Sequence, residues 1–416
     1  MTICYVLWQF PILSETFITR EVIGLMRQGL DIRLFSLYPP QAGDRVPGEA
    51  ESLAAQTVYA SRTGGMLAHY AWLRSAPRTY LSSWRTMLSV HAGSSSCLRR
   101  SIRIWLRAAD LAWQAAQLGV SHFHAHFGSL PTSAALGMAQ LLGASFSFSV
   151  HGRDLHVPDP ALTQKIARAR FVLACSQHGR QIVQRRAPAY ADRIILHYHG
   201  LSLQPLPPQS PAGQPLIVAV GRLVAKKGFT YLIQASALLK ANGVAIRTVI
   251  IGDGPERAAL AAQIEARNLH QEVTLYGPLA IADVWPWYAR ASMLVAPACV
   301  GPDGDQDGIP NVILEALLCA RPVVASAVGG IPEVIQHFHT GLLVPSASPQ
   351  ALAAAIQWVL GHPAQALQFA QRGHALVSER FSLEQSSRRL AGIFRSYLQL
   401  NADQPPDQRA ASAAEG

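Results

Sequence analysis

Apolar and polar positions follow two different periods along the chain, and these periods alternate. Short apolar runs at residues 2–8, 32–37 and 215–221 predict buried strands. Between them, apolar residues recur every three or four positions, which predicts amphipathic helices; Ser14 is expected to cap the first helix and Gly29 to end it. Strands that alternate with helices are typical of parallel sheets covered by helices. The pattern therefore predicts an α/β protein.

One proline-rich stretch interrupts this pattern. Residues 204–215 show no periodicity, which predicts a linker. At 416 residues the chain is long enough for two domains that each bury a core. We therefore expect an N-terminal domain at residues 1–204, a C-terminal domain at residues 205–380, a helix at residues 381–400 and a disordered tail at residues 401–416.

Composition narrows the class of protein. Hydrophobic residues make up 50% of the chain and charged residues 14%, which excludes a wholly disordered chain. No apolar run approaches the roughly 18 residues of a membrane span. The first strand has no basic segment before it and is interrupted by Gln9 and Pro11, so no signal peptide is expected. Five scattered cysteines without a Cys-x-x-Cys pair suit a reducing cytoplasm.

The net charge of +10 belongs to the first half of the chain. Residues 1–204 contain 20 Lys and Arg against 10 Asp and Glu, whereas residues 205–416 contain 15 of each. After an expected loop at residues 40–60, a basic helical insertion is predicted at residues 61–110. Arginine and tryptophan on amphipathic helices are typical of a surface that rests in lipid headgroups, and a solvated helical face with core tryptophans is the alternative. No compact nucleic-acid recognition motif is present. The residues concerned are Arg62, Arg74, Arg78, Arg85, Arg99, Arg100, Arg103 and Arg107, with Trp72, Trp84 and Trp105.

Three histidines stand at alternate positions near the middle of the first half. His122, His124 and His126 lie on one face if their segment is a strand. Such a group suggests a metal site. No carboxylate stands at a matching spacing, however, so we favour an interpretation without a metal.

A fourth histidine follows a second predicted strand. That strand ends at Val150, so His151 projects from its carboxyl end, where open parallel sheets bind ligands. Gly152 allows a close backbone approach, and Arg153 and Asp154 are expected to fix the orientation of His151. A core histidine without a ligand is the alternative.

A basic loop follows the first strand of the predicted C-terminal domain. Arg222 and Lys227 are suited to neutralising the charge that develops on a departing diphosphate, without a metal. Lys226 is expected to be their solvated neighbour. Two surface lysines before a helix are the alternative.

A glycine pair further along imitates a dinucleotide fingerprint. Gly252 and Gly254 follow a predicted strand, but Arg257 stands where the third glycine belongs. No acidic ribose partner follows at the required distance, so this signal is weak.

Residues 301–333 contain the most informative stretch. A glycine-containing loop leads to Asp307, and Pro310 is expected to occupy the first position of a helix. Glu315 comes eight residues after Asp307, a separation that corresponds to two full helical turns and about 80° more. The two carboxylates can therefore line one groove. After a buried strand, residues 329–333 are expected to open another helix with free backbone amides that form an anion site.

Three kinds of site compete for the acidic loop. A calcium loop requires Asp at positions one, three and five, which Asp303, Asp305 and Asp307 satisfy, but position twelve is Leu314 and not Glu. Asp303 and Asp305 also imitate the paired aspartates that hold a metal in one class of glycosyltransferase. They lie in the wrong half of the chain for the fold of that class. The third is a sugar-nucleotide site, with Asp307 on hexose hydroxyls and Glu315 on the ribose diol.

The spacing of Asp307 and Glu315 resembles the acidic-x7-Glu signature of the large family of retaining glycosyltransferases with the GT-B fold. Residues 303–325 are similar to its exopolysaccharide-assembling members, and FPILSETFITREV at residues 10–22 resembles their opening. The His-Gly-x-Asp cluster, the HAHFG segment and the glycine-Arg-x4-Lys-Gly element match in the expected order. The family usually has Glu where this chain has Asp307, one methylene shorter. The resemblance spans about residues 3–395.

The resemblance implies two Rossmann-like domains facing an interdomain cleft, with the C-terminal helix crossing back to the first domain. It further implies retention at the anomeric carbon, and neither metal nor cofactor. The sequence contains no evident nucleophile for a double displacement, so front-face transfer is our hypothesis. The implied catalytic residues are His151, Asp307, Arg222 and Lys227; the implied donor-binding residues are Arg222, Lys227, Gly252, Gly277, Asp307, Gly308, Ile309 and Glu315; and the implied acceptor-side residues are Ser14, His126, Arg153 and Asp154.

The expected partners are a nucleotide-sugar donor and a saccharide acceptor linked to polyprenyl diphosphate. An acceptor of that kind would place the protein in the cytoplasm, in peripheral contact with the anionic inner face of the plasma membrane, and no nucleic acid is expected. Two alternatives are a GT-B epimerase acting on the nucleotide sugar and a non-catalytic relative that binds nucleotide without turnover.

Overall fold

The computed structural model describes residues 2–12, 15–40, 48–61, 65–91, 95–156, 159–201 and 213–399. Ser14, the predicted tail and most of the predicted linker lie outside these residues. The chain divides into two compact units: residues 1–175, 179–200 and 383–416 form the first, and residues 176–178 and 201–382 form the second.

The first unit is built from seven strands and ten helices within the described residues. Its strands are β1 Thr2–Gln9, β2 Asp31–Tyr38, β3 Val58–Tyr59, β4 Val120–His126, β5 Ser145–Val150, β6 Val172–Ala174 and β7 Ile194–Leu196. Its helices are α1 Thr16–Arg27, α2 Glu49–Ala55, α3 Met66–Ser75, α4 Pro77–His91, α5 Ser95–Gln117, α6 Leu130–Leu142, α7 Gly152–His156, α8 Leu162–Arg168, α9 Gln177–Arg186, whose first two residues belong to the second unit, and α16 Leu383–Gln399.

The second unit alternates strands and helices more regularly. Its strands are β8 Leu216–Val220, β9 Arg247–Ile251, β10 Val273–Gly277, β11 Met293–Ala296, β12 Val323–Ser326 and β13 Leu342–Val344. Its helices are α10 Phe229–Ala241, α11 Arg257–Ala266, α12 Ile281–Arg290, α13 Asn311–Leu318, α14 Pro349–Gly361 and α15 Pro363–Arg380.

Each unit is organised around one parallel sheet. The strand order is β3-β2-β1-β4-β5-β6-β7 in the first and β10-β9-β8-β11-β12-β13 in the second. Both orders reverse direction once, between β1 and β4 and between β8 and β11. At such a switch point the connections leave to opposite sides, and the carboxyl ends of the two strands leave a crevice for ligands.

The first sheet buries both faces, as alternation along β1 shows. Tyr5 packs in one core cluster with Val22 of α1 and Phe394 of α16. Val6 packs in the other cluster with Ala135 of α6 and the helices before it. The helix at the C-terminal end of the described chain is thus part of the first unit.

Four local expectations are corrected by the structure. Residues 40–60 include α2 and β3 and are not simply a loop. Helix α1 follows Glu15, which provides no side-chain cap. Pro310 precedes α13 as its N-cap residue and is not its first helical residue. Residues 331–333 form a single 3₁₀ turn, so no longer helix opens after Gly330.

The tryptophans of the basic insertion lie inside the unit. Trp105 is fully buried and its Nε1–H donates to Ser83 Oγ at 3.3 Å, while Trp72 donates to Ala109 O at 3.0 Å. Trp84 packs on Trp105 with ring centroids 4.2 Å apart. The tryptophan part of the lipid-surface interpretation is therefore wrong, because these rings hold α3, α4 and α5 together.

Candidate functional site

The switch point of the second sheet brings two loops into contact. The loop after β8 and the loop after β11 are joined by a hydrogen bond from Cys299 N–H to Lys226 O at 2.9 Å. The Cys299 thiol also donates to Ala225 O at 3.0 Å. Gly228, at φ +65°, lies against Pro297 so closely that any Cβ would overlap the proline carbonyl oxygen. The basic and acidic segments of the sequence are thereby held side by side.

Two lysines and two aspartates form one charge cluster there. Lys227 Nζ lies 2.6 Å from Asp307 Oδ2, and Lys226 Nζ lies 3.3 Å from Asp307 Oδ1 and 2.9 Å from Asp305 Oδ2. All four side chains are at most 20% exposed. The expectation that Lys226 is merely solvated is wrong, because it bridges both carboxylates.

The ionisation of Asp307 follows from these contacts. Burial by itself raises the pKa of this carboxyl, but Lys227 and Lys226 more than offset it, so the pKa lies below its ordinary value. Asp307 is therefore a carboxylate across the neutral range. Ammonium groups occupy its two oxygens, which argues against the calcium-loop interpretation of this segment.

A glycine turn holds the acidic loop in place. Gly330 N–H donates to Gly308 O at 3.0 Å, and Gly329, at φ +56°, lies where any Cβ would overlap Asp307 O. A Cβ on Gly330 would also come within 2.8 Å of the Ile309 side chain. The amide of Gly330 is thus engaged within the loop and is not available to the anion site that the sequence predicted.

The second predicted acid is buried beside the cluster's helix. Glu315, on α13, is 3% exposed, and Tyr288 O–H donates to its Oε2 at 3.0 Å. Burial raises the pKa of Tyr288 well above its usual range, and the Glu315 carboxylate raises it further. The tyrosine therefore stays a donor and fixes the carboxylate. Arg222, by contrast, is exposed.

Two further glycines that were predicted to bind the donor, Gly252 and Gly277, lie at the ends of β9 and β10. Gly252 N–H donates to Gly277 O at 2.8 Å, and Gly252 is packed against Gly221 O. Gly277 has φ +104°, and a Cβ added to it would meet no atom within 4 Å. Open space thus lies above Gly277, whereas Gly252 serves the packing of two turns.

In the first unit, histidines of β4 pair with serines of β5. His122 contacts Ser145 Oγ and Ser147 Oγ at 2.8 and 2.7 Å. His124 contacts Ser147 Oγ and Ser149 Oγ at 2.7 and 3.0 Å. Burial lowers the pKa of His122 to about 3 and that of His124 well below its usual range, so both are neutral. Their nitrogens are already hydrogen-bonded, which favours the interpretation of these two residues without a metal.

The third histidine of β4 has a different partner, which sequence reasoning missed. His126 is fully buried, with Nε2 3.1 Å from Glu21 Oε1 and Nδ1 3.2 Å from His151 Nε2. No carboxylate stands at a matching sequence spacing, but the fold brings Glu21 to His126 from a distant part of the chain. Glu21 lies on α1, far from them in sequence, and the only available signal was an acidic residue on the apolar face of that helix.

His199 completes this cluster. Its Nδ1 lies 3.4 Å from Glu21 Oε2, and its ring stacks on His151 at 5.3 Å. Burial lowers the pKa of His199, but contacts with Cys175 and Glu21 outweigh burial and raise it to about 9. Burial also raises the pKa of Glu21, but His126 and His199 reverse this and bring it well below its usual range. Glu21 and His199 thus form a buried ion pair.

The orientation of His151 is set by its own turn. Asp154 Oδ2 accepts from the His151 backbone N–H at 2.9 Å, as expected of a residue that orients it, whereas the Arg153 side chain is exposed. Burial raises the pKa of Asp154 to about 6. Burial, together with His199 and His126, holds the pKa of His151 well below its usual range, so its imidazole is neutral.

Two groups of side chains have the spacing of metal ligands. They are Glu21 with His124 and His126, and His151 with Cys175 and His199; in each the ligand atoms lie within 4.8 Å of one another. In the first group, hydrogen bonds from Tyr5 and His126 already engage Glu21.

Comparison with known proteins places the second unit in a family. Residues 214–362 match the family model described as "Glycosyl transferases group 1". These residues contain the whole charge cluster. The second unit carries a glycosyltransferase group 1 domain.

The glycosyltransferase relatives extend over nearly the whole chain. The chain is 27% identical to the putative colanic acid biosynthesis glycosyltransferase WcaL of Salmonella typhimurium, covering 95% of this chain and 100% of the relative. It is 28% identical to the amylovoran biosynthesis glycosyltransferase AmsK of Erwinia amylovora, covering 94% and 99%. The predicted recognition of a glycosyltransferase, and of an enzyme of this kind, is thereby confirmed.

Solved structures establish the fold of this glycosyltransferase. HepE of Anabaena in complex with UDP matches with a TM-score of 0.70 at 18% identity, covering 95% of this chain and 100% of that one. Sucrose-phosphate synthase of Thermosynechococcus elongatus matches with a TM-score of 0.72 at 20% identity, covering 97% and 100%. The predicted GT-B fold is confirmed.

The Glu21–His199 ion pair predicts how stability depends on pH. The folded state keeps the His199 proton up to about pH 9, whereas an unfolded histidine releases it near pH 6.5. The contribution is therefore complete below pH 6.5 and is lost as the pH rises toward 9, by an amount on the order of 2 kcal/mol between pH 7 and 8.5. Thermal midpoints of the wild type should fall across this interval, and those of His199→Gln should change less.

His339→Gln is the control, because His339 is exposed. This variant should retain the full wild-type slope. An equal slope in wild type and His199→Gln would show that His199 is not protonated in the folded protein.

Proposed function

We propose that this glycosyltransferase moves a hexose from a nucleotide-sugar donor to a saccharide acceptor in the biosynthesis of an exopolysaccharide or a related cell-surface polysaccharide. The observation that carries the proposal is the partly buried cluster of Lys226 and Lys227 with Asp305 and Asp307 at the switch point of the group 1 domain. The names of WcaL and AmsK support the polymer class, and the HepE complex with UDP supports a nucleotide-linked donor.

The cluster has the chemistry to receive a diphosphate. Carboxylates pair with the two ammonium groups of the cluster, and a donor diphosphate would offer more negative charge to the same Lys227 nitrogen. Arg222, which is exposed and next to this loop, is proposed to add a planar guanidinium to the same phosphate. Asp307, released from part of its ion pairing, is then an acceptor for hexose hydroxyls.

We also propose contacts for the rest of the donor, which are supported by the geometry around the cluster. Glu315, oriented by Tyr288, is proposed to accept hydrogen bonds from the ribose diol. Gly277 is proposed to face the base, because space is open above it. Gly308 and Ile309 continue the loop that the Gly329–Gly330 turn supports, and are proposed to line the sugar.

Retention and metal independence follow as proposals from the same charges. Two lysines supply the positive charge that a divalent cation supplies elsewhere for a departing diphosphate. Asp307 is paired with both ammonium groups, which lowers its nucleophilicity and argues against a covalent glycosyl-enzyme. We propose front-face transfer, in which the leaving phosphate helps deprotonate the acceptor hydroxyl. His151 of the first unit is proposed to act on the catalytic side, and His126, which is fully buried with both ring nitrogens engaged, is proposed to act through His151 and not to contact the acceptor directly.

The acceptor is proposed to be linked to polyprenyl diphosphate and to be used at an anionic membrane surface. Within the described residues, no helix is both long and apolar enough to span a bilayer. Helix α3 nevertheless exposes an apolar face, with Met66 76%, Leu67 85%, Tyr70 62% and Leu73 48% exposed. Exposed arginines follow on the same helix and on the next one, namely Arg74 on α3 and Arg78 and Arg85 on α4. Apolar side chains beside basic ones match an interface of acyl chains and anionic headgroups.

Not every arginine of the insertion serves this surface. Arg107 donates to Leu37 O at 2.9 Å and lies 4.2 Å from the ring centroid of Tyr38, so it is a structural residue. The proposed lipid-contacting surface is therefore the exposed face of α3 together with the start of α4.

Lys227→Met should lower turnover by about 100-fold, because it removes one charged donor from the departing phosphate. The assay is sugar transfer from UDP-, GDP- and ADP-sugars to membrane extracts that contain lipid-linked saccharides. Lys240→Met is the matched control: it also breaks a lysine–carboxylate pair, with Glu272 at 2.9 Å, but away from the cluster. Full activity of Lys227→Met would remove Lys227 from the site. Conversion of the donor without any acceptor would indicate an epimerase.

The linkage in the product tests retention. The new glycosidic bond should have the same anomeric configuration as the donor, and transfer should persist in EDTA. The measurement is the anomeric coupling constant by nuclear magnetic resonance of the purified product. An inverted product, a trapped glycosyl-enzyme, or activity that returns only with a divalent cation would each contradict this part of the proposal.

Liposome binding tests the membrane surface. The protein should bind vesicles that contain anionic lipid and dissociate as salt rises from about 0.05 to 0.5 M, because surface attraction is screened. The double variant Leu67→Gln, Leu73→Gln should bind at least about tenfold more weakly, since less apolar area enters the interface. Leu367→Gln, a change at a leucine 44% exposed on α15, should bind like wild type. Vesicle binding that changes neither with salt nor with the double substitution would refute the proposal that this surface contacts lipid.

A further inference from the structure

A line of hydrogen bonds crosses the interior of the first unit from α1 to the end of β5. Glu21 Oε1 lies 3.1 Å from His126 Nε2, and His126 Nδ1 lies 3.2 Å from His151 Nε2. Tyr5 O–H donates to the same Glu21 oxygen at 2.8 Å. Tyr5 and His126 are fully buried and Glu21 is 6% exposed. Water therefore does not compete with these contacts, and each must be a donor facing an acceptor.

The carboxylate sets the direction of every bond in this line. An ionised carboxylate only accepts hydrogen bonds, so His126 must donate from Nε2. A neutral His126 then has an unprotonated Nδ1, which accepts from His151 Nε2–H. A neutral His151 in turn has an unprotonated Nδ1. One carboxylate on α1 thus fixes the tautomers of two successive imidazoles.

The second ring nitrogen of His151, Nδ1, has only a weak hydrogen-bond partner nearby. Cys175 Sγ lies 3.9 Å from His151 Nδ1, but the thiol donates to Val150 O at 3.3 Å. The Nδ1 lone pair therefore remains available as an acceptor. It lies on the residue that projects from the carboxyl end of β5, where the site of a parallel sheet is expected.

We propose that Glu21 is a positioning residue that, through His126, holds His151 in the tautomer with an accepting Nδ1 and so gives it the form required to meet a sugar hydroxyl. The proposal deepens the proposed function and rests on it for the role of His151 in transfer. The assignment of the tautomer does not depend on the proposed function: it follows from the contacts of Glu21, His126 and His151, with His126 as the neutral member of this line.

Several groups surround His151 and bear on its protonation. His199 stacks on its ring at an interplanar angle of 4° and pairs with the second oxygen of Glu21, which keeps that carboxylate ionised. A second proton on His151 would place like charges in a buried site, so the neutral form is favoured. The titratable groups that face it are Glu21 of α1, His124 and His126 of β4, Asp154 of α7, Cys175 after β6, and His199 after β7.

The test uses the full-length protein with ¹⁵N-labelled histidine, as wild type, Glu21→Gln, Glu21→Asp and His122→Asn. An amide presents an oxygen or a nitrogen to His126, so Glu21→Gln should lose the fixed tautomer, and long-range ¹H–¹⁵N spectra should show His151 with a partly protonated Nδ1. Turnover of Glu21→Gln should fall about tenfold or more, with the KM for donor within about twofold. Glu21→Asp keeps an acceptor-only group and should restore the tautomer.

His122→Asn is the matched control, because His122 is another buried β4 histidine whose partners are serines. It should lose stability while the His151 spectrum and the pH dependence of turnover stay as in wild type. An unchanged His151 tautomer in Glu21→Gln would overturn the inference, as would equal spectral changes in His122→Asn. One zinc ion per chain, lost in His151→Ala, would also overturn it, because the metal would hold Nδ1. A changed tautomer with unchanged turnover would support the positioning but remove His151 from the proposed transfer.

Discussion

The pairing of Lys226 and Lys227 with Asp305 and Asp307 is the constraint on which the second unit's site depends. Removing a single charge from water into a protein costs several kcal/mol unless an opposite charge meets it. Four such charges are gathered here under two loops, each at most 20% exposed. Neither loop can take this conformation without the other, because each would bury unpaired charge. The glycine turn at residues 329–330 then closes the arrangement from a third segment.

Part of this site was predictable because its signals are local. The strand periods located the end of β5 in the first sheet and the end of β8 in the second, and a parallel sheet binds ligands at the carboxyl ends of its strands, so His151 and Lys227 could each be named from sequence. The pairing of Lys226 was missed, because the identity of a lysine's partner depends on which loop lies opposite it. Asp305 is distant in sequence, and only the strand order β8-β11 brings it near.

The tryptophans and Glu21 show the same limit in the first unit. Arginine and tryptophan together indicated a lipid surface, but composition does not state which side of a helix each residue occupies. Trp105 faces inward, while the exposed apolar positions are Leu67 and Tyr70. The carboxylate beside the histidines could not be found from their spacing, since it comes from α1. The physical sign that Glu21 has a buried partner is the burial of a charged side chain on an apolar helix face. This burial is visible only once the packing of α1 is known.

The two units stabilise buried charge with different residue types, and their charges therefore depend on pH in different ways. The second unit balances fixed charges: the lysines lower the pKa of Asp307 below its ordinary value, so its carboxylate does not titrate near neutrality. The first unit balances one carboxylate against histidines, so its charge depends on where protons reside. Burial raises the pKa of Asp154 to about 6 and that of Glu15 to about 7, and contacts with Cys175 and Glu21 raise the pKa of His199 to about 9. Changes of pH between 6 and 9 therefore act on groups of the first unit, whereas the Asp307 carboxylate of the second unit stays ionised because its lysine neighbours keep its pKa below the ordinary value.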